Sequence, residues 1–153
     1  MNAYKLYKVE RWFYLHKMEF FAKIVKALIY VLHNSSISYQ TEIGDNCKFL
    51  YGGIGCVIGK DTKIGNHVII GTNVLTLTGG RSNKPGMPTI GNNVYIATGA
   101  KILGNITIGD NVIVGANAVV INDVEPNCSV GGVPARVLKK DIDVNDYCSL
   151  NRY

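Results

Sequence analysis

Three side chains and one basic cluster in this 153-residue chain could act on a bound molecule. The imidazole of His67 can take a proton from an attacking hydroxyl, or the residue can be an ordinary turn residue. The Tyr51 hydroxyl can donate a hydrogen bond to a substrate, or the ring can simply stack. Lys84 can orient an acidic sugar or a phosphate, or stand solvated. Arg136, Lys139 and Lys140 fall within five residues of one another and suit either phosphate contact or a solvated edge. His16 and His33 lie where packing or solvent contact accounts for them. Cys47, Cys56, Cys128 and Cys148 show no paired spacing and read as small buried hydrophobes in a reducing compartment, so no metal site is expected.

The frame that must position these groups is clearest at residues 90–125, which read as six consecutive blocks of six. Ile90, Ile96, Ile102, Ile108, Val114 and Val120 open the blocks. Val94, Ala100, Ile106, Val112, Ala118 and Val124 fill the fifth position, and Gly-Asn or Asp-Asn pairs crowd the turns. Neither a helical period nor one long alternating strand gives this pattern. A parallel β-helix does, each block supplying a short strand and a tight turn, with about 18 residues per triangular coil. Cys47 falls at a fifth position, where a small inward residue is wanted, and His67 at a fourth, where the chain turns outward.

Earlier blocks begin at Ile37, Ile43, Ile58, Ile64 and Ile70, and the phase breaks twice. Ile43 to Ile58 is 15 residues, with Phe49–Cys56 intervening. Ile70 to Ile90 is 20, with the polar Gly/Pro segment 76–89 between. A loop extruded from a regular solenoid usually carries function. After Glu125, Pro126 is expected to take the next inward slot and end the pattern. The chain thus divides into an N-terminal helical segment (1–34), the repeat region (35–138) with its extruded loop, and a polar tail (139–153).

Residues 4–33 contain neither Gly nor Pro, and Phe21, Ile24, Val25, Leu28, Ile29 and Leu32 are spaced as one face of a helix. One or two amphipathic helices ending near Asn34 are expected. Their apolar face can pack on the coil or on a partner subunit, or rest peripherally on an anionic membrane surface. Of the net charge of +5, a surplus of four lies in residues 1–34: Lys5, Lys8, Arg11, Lys17, Lys23 and Lys26 against Glu10 and Glu19. The repeat region has no basic stripe with interleaved aromatics, which argues against nucleic acid. Charges interrupt every early apolar run, so neither a cleaved leader nor a spanning helix is expected, and the cytoplasm is the expected location.

With these pieces placed, residues from about Ile37 to Leu138 resemble the hexapeptide-repeat acyltransferases. The matching segments are Gly55–Gly59, the Gly79-Gly80 pair, Pro88–Gly91, Gly99–Asn105 and Gly132–Arg136. Within that family the chain looks most like the branch of serine O-acetyltransferases and the related acetyltransferases of bacterial capsule and exopolysaccharide pathways. The resemblance implies an all-β solenoid, a left-handed parallel β-helix with an N-terminal helical segment. The general preference for right-handed crossovers would give the opposite hand.

The resemblance further implies a homotrimer with sites between neighbouring coils and acetyl-CoA as acyl donor. The donor would contact Gly80, Thr98 and Ala116, with Arg136 and Lys139 near its phosphates. The histidines of serine acetyltransferases correspond to Gly52 and Met87, with Tyr51 in the place of the paired aspartate. Those of the polysaccharide branch correspond to Gly59 and Lys84. Acetyl transfer to a hydroxyl of a sugar or polysaccharide precursor in a ternary complex is expected, with His67, Tyr51 and Lys84 as its polar groups and a small-molecule or glycan acceptor as partner. The alternatives are serine acetylation with relocated catalytic groups and a non-catalytic CoA-binding trimer. A zinc-dependent carbonic anhydrase of the same fold needs three coil histidines, and the coils hold one.

Overall fold

The computed structural model describes residues 2–79 and 85–147. Two helices come first, α1 (Ala3–Leu15) and α2 (Glu19–His33), joined by a turn in which Lys17 takes positive φ. Asn2 caps α1, its side-chain oxygen accepting from the Tyr4 amide at 2.9 Å. Asn34 ends α2 in the left-handed conformation, which a short polar side chain tolerates.

Five coils follow. The first holds β1 (Ser36–Ile37), β2 (Glu42–Ile43) and β3 (Lys48–Phe49). The second holds β4 (Val57–Ile58), β5 (Lys63–Ile64) and β6 (Ile69–Ile70), and the third β7 (Leu75–Leu77), β8 (Thr89–Ile90) and β9 (Tyr95–Ile96). β10 (Lys101–Leu103), β11 (Thr107–Ile108) and β12 (Ile113–Val114) make the fourth. The fifth runs from β13 (Val119–Val120) to β14 (Cys128–Gly131), and β15 (Arg136–Lys140) folds back antiparallel on β14.

Stacking gives three sheets: sheet 1 is β1-β4-β7-β10-β13, sheet 2 is β2-β5-β8-β11, and sheet 3 is β3-β6-β9-β12-β14-β15. All pairings but the last are parallel. The opening and fifth-position aliphatics of residues 90–120 are buried, from Ile90 (2% exposed) to Val120 (2%).

The repeat has a local cause at each position. A Cβ on Gly65 would meet the Gly91 carbonyl oxygen at 2.7 Å, so the second position is glycine where coils stack closely. At the third position, Asn66 Oδ1 accepts from the Asp45 amide, Asn92 Oδ1 from Asn66, and Asp110 Oδ1 from Asn92. At the fourth, Asn46, His67, Asn93, Asn111 and Asn127 all have φ between 53° and 57°.

The two phase breaks are slack in single turns of the coil. Ser36 pairs with Val57, twenty-one residues on, and Leu75 with Lys101, twenty-six on, against eighteen from Val57 to Leu75. The first break is an irregular turn, Leu50–Gly53, with Tyr51, Gly52 and Gly53 at positive φ, that seats α1: Asn2 Nδ2 donates to the Phe49 carbonyl, and Gly53 faces Ala3. The last turn is short instead. Val114 pairs with Val130 and Ile108 with Val124, sixteen residues apart.

Pro126 is therefore exposed above Gly109 rather than inward, and Cys128 and Val130 fill the core beyond it. Val124 likewise stacks on an opening residue, Ile108, and not on a fifth-position one. Of the six-residue apolar face expected on α2, only Val25 and Ile29 are buried, together with Ala22 and His33.

Candidate active site

The edge between sheets 3 and 1 carries three of the expected site residues. Thr98 turns the chain from β9 to β10 and Ala116 from β12 to β13, eighteen residues on; both are exposed. The Asn117 amide donates to the Thr98 carbonyl, so the two turns lie one directly on the other. Thr72 lies beneath, its hydroxyl 3.4 Å from that of Thr98. Small side chains in three successive coils thus leave a shallow track along this edge. Tyr51 stands at the same edge in the first coil, 81% exposed, with φ 50° and ψ 35°.

Beside the track lies a groove of about 1820 Å³ across the outer face of sheet 3. Tyr4, Tyr51, Tyr95, Thr98 and Tyr147 line it, and Lys5, Lys8 and Lys48 make it basic. Tyr147, in the short helix α3 (Val144–Tyr147), accepts a hydrogen bond from Lys139 Nζ at 3.2 Å. Lys139 therefore borders the upper end of the groove. Arg136 is exposed on β15, and its guanidinium donates only to the Ala135 carbonyl among the described residues. Tyr4, Tyr95 and Tyr147 carry no motif and were missed in the sequence. Outward placement of Tyr95 before an inward Ile96 was the one available signal.

His67 lies elsewhere. It turns the chain from β5 to β6, at the edge between sheets 2 and 3, exposed and stacked in the column of left-handed asparagines. Asn46 Nδ2 lies 3.3 Å from its Nε2. An amide nitrogen can only donate, so the contact is a hydrogen bond in the tautomer whose Nε2 accepts.

The extruded loop leaves at the third edge, between sheets 1 and 2. Its returning arm is pinned by Asn105 Nδ2, which donates to the Pro85 carbonyl at 3.1 Å, and Met87 packs over Gly59. Gly80 and Lys84 lie outside the described residues. Next to the arm, a cavity of about 280 Å³ opens between Gly104–Ile106 and Ile121–Asp123, where the short last turn leaves room. The candidate polar groups thus occupy different edges of the prism, and one protomer does not bring His67 to the Tyr51–Thr98 edge.

Burial pushes the thiols of Cys47, Cys56 and Cys128 up, which keeps them protonated and unreactive. Among the described residues no group of three or more His, Cys, Asp or Glu could hold a metal ion.

Residues 87–122 match the family model for the bacterial transferase hexapeptide, six repeats. A serine acetyltransferase of Synechococcus elongatus is 34% identical over 90% of this chain and 56% of its own length. One from Staphylococcus xylosus is 36% identical over 91% and 61%. The structure of Brucella abortus serine acetyltransferase in complex with coenzyme A superposes with a TM-score of 0.86 at 28% identity, covering 92% of this chain and 56% of that one.

This is a hexapeptide-repeat chain similar to serine acetyltransferases. The similarity implies the left-handed sense for the coil. The chain spans little more than half the length of these relatives.

Proposed function

We propose that this serine acetyltransferase-like chain is an acetyl-CoA-dependent O-acetyltransferase working as a homotrimer. The track of Thr72, Thr98 and Ala116 carries the reading: three small turns in register, on a fold that a relative uses in complex with coenzyme A. The pantetheine arm lies along that track, and Gly80 is a further donor contact proposed from the family resemblance. The phosphates face Lys139 and Arg136.

Self-association has its own support in the outward rows. Those of sheet 2, Glu42, Lys63, Thr89 and Thr107, are polar and exposed, whereas sheet 1 presents half-buried Val57, Leu75 and Val119 beside Lys101, and sheet 3 presents Tyr95 and Ile113 beside Lys48. Neighbouring copies cover the second kind of surface and leave the first to water. A trimer also supplies what one protomer lacks, a place where residues from different edges meet.

In the reaction, the acceptor hydroxyl oxygen attacks the thioester carbonyl carbon while a base takes its proton. The C–S bond breaks, and the thiolate recovers the proton as free CoA, leaving an O-acetyl ester. His67 is the proposed base, its Nε2 exchanging the Asn46 contact for the acceptor hydroxyl. Tyr51 and Lys84 orient the acceptor, and backbone N–H groups near the Gly79-Gly80 pair stabilise the oxyanion. Serine is the acceptor best supported, because the relatives cited above are named serine acetyltransferases. The glycan acceptor expected from the capsule-pathway resemblance has no such support.

Thiol release from acetyl-CoA, followed with a free-thiol reagent across L-serine, nucleotide sugars and oligosaccharides, tests this reading. Serine-dependent release is expected. Release with a sugar alone would restore the glycan reading, and CoA binding without release would leave a non-catalytic CoA-binding trimer.

A further inference from the structure

The helical pair buries less apolar surface than it carries. On α2, Ala22, Val25, Ile29 and His33 face inward, and Phe20, Phe21, Ile24, Leu28, Val31 and Leu32 remain 44–77% exposed. Residues 20, 24, 28 and 31 follow helical spacing, so they form one outward stripe opposite the buried one. Only a narrow polar strip, with Glu19, Lys23 and Lys26, separates the two. At the turn between the helices Phe13 stacks on Phe21 at 5.4 Å and meets Trp12 edge-on at 5.2 Å, so the stripe continues onto α1, where Trp12 and Leu15 are 51% and 62% exposed. A contiguous apolar surface of this kind marks an interaction site.

Its charged surroundings say which kind. Lys17 and Lys23 are exposed beside this face, with Lys5 farther along α1 and Lys8 paired to Asp45 at the groove, while Glu10 is buried, leaving Glu19 as the exposed carboxylate among residues 2–34. Burial also holds the Glu10 carboxyl protonated until about pH 8, so it does not offset the lysines at neutrality. An apolar face with aromatics at one end, bordered by lysines and nearly free of acid, is complementary to an anionic lipid headgroup layer over acyl chains. A protein partner of the same chain would bring its own lysines to the contact and repel. No described helix is long and apolar enough to cross a membrane, so the contact is interfacial.

We propose that the outward face of α2, with Trp12 and the turn joining the helices, docks this protein on an anionic membrane surface. The helices lie in the plane of the headgroups, Phe20, Ile24, Leu28 and Val31 enter the acyl boundary, and the lysines meet lipid phosphates. The coil, whose own charge is nearly balanced, stays in water.

Trp12 is the sole tryptophan of the chain and reports the contact directly. The full chain would be mixed with vesicles of phosphatidylglycerol and phosphatidylcholine, and separately with phosphatidylcholine alone. With the anionic vesicles, Trp12 emission should shift to shorter wavelength and be quenched by brominated acyl chains. Co-sedimentation should weaken as salt rises. The exposed double substitution Phe20→Ser with Val31→Ser should lower partitioning by about tenfold or more at unchanged melting temperature. Lys17→Glu with Lys23→Glu should weaken it through charge alone.

Emission and sedimentation indifferent to anionic vesicles would overturn the proposal. So would a molar mass that falls in the Phe20→Ser/Val31→Ser variant without vesicle binding by the parent chain, since a second copy would then own the face.

Discussion

The Met87 methyl group lies over the Cα of Gly59, in the space a side chain at residue 59 would occupy. The contact joins the returning arm of the extruded loop to the coil beneath it. It also has a functional reading, because both positions are ones where related acetyltransferases are expected to carry histidine. An imidazole at residue 59 could enter only if Met87 moved.

Substitution of Gly59 should therefore couple to residue 87. An added methyl at residue 59 meets Met87 and also the Thr76 carbonyl oxygen at 2.9 Å. Gly59→Ala should lower stability by about 1–3 kcal/mol, and by less in a Met87→Ala background, because one of its two clashes is then gone. Urea unfolding of the four members of the cycle measures the difference. Strict additivity would show that the Met87 contact does not form.

His67 occupies a left-handed turn slot that its stacked neighbours fill with asparagine. His67→Asn should thus leave stability within about 0.5 kcal/mol. With His67 as the base, the same variant should lose about a hundredfold or more in kcat. An unchanged kcat at unchanged stability would remove His67 from the mechanism and leave it a turn residue.

Glu10 gives the fold a pH dependence of unusual sign. Its side chain is fully buried against α2, and neither carboxylate oxygen has a hydrogen-bond partner. Burial pushes its pKa up to about 8, with the Lys26 charge opposing in part. Below the ordinary glutamate value of about 4.3 both folded and unfolded chains hold the proton, and the full stability is present. As pH rises the unfolded chain releases it and the folded chain does not. Stability should fall, on the order of 5 kcal/mol in all, until about pH 8. The urea midpoint should decline from pH 5 to 8, and Glu10→Gln should abolish the decline. A midpoint rising over that range would contradict the burial.

How much of this was legible beforehand differs by element. The hexads at residues 90–120 announce their own inward positions, because a side-chain period of six has no other packed solution here. The breaks at 49–56 and 76–89 announce only lost phase. That the first is three extra residues seating α1 on Gly53, and the second eight extra residues between β7 and β8, depends on which coil absorbs the slack. The Pro126 error has the same origin: two residues missing between Val120 and Val124 re-phase everything after them, and no residue type marks a deletion. On α2 the periodicity gives an apolar face but not how much of it the neighbours cover.

For the site, the spacing of eighteen places Thr98 and Ala116 at one edge, as any coil would. The separation of His67, Tyr51 and the loop onto different edges follows only once the slack is assigned. The groove aromatics Tyr4, Tyr95 and Tyr147 come from three distant segments and meet only in the folded chain.

The most direct test of a CoA track at the Thr98–Ala116 edge is a calorimetric titration of CoA into the parent chain and into Ala116→Trp. Ala116 is exposed, so the indole should fill the track without disturbing the core. We expect one CoA bound per protomer in the parent chain, and binding weakened at least a hundredfold in the variant at unchanged molar mass and melting temperature. Equal CoA affinity in the two proteins, or no binding in either, would contradict the placement.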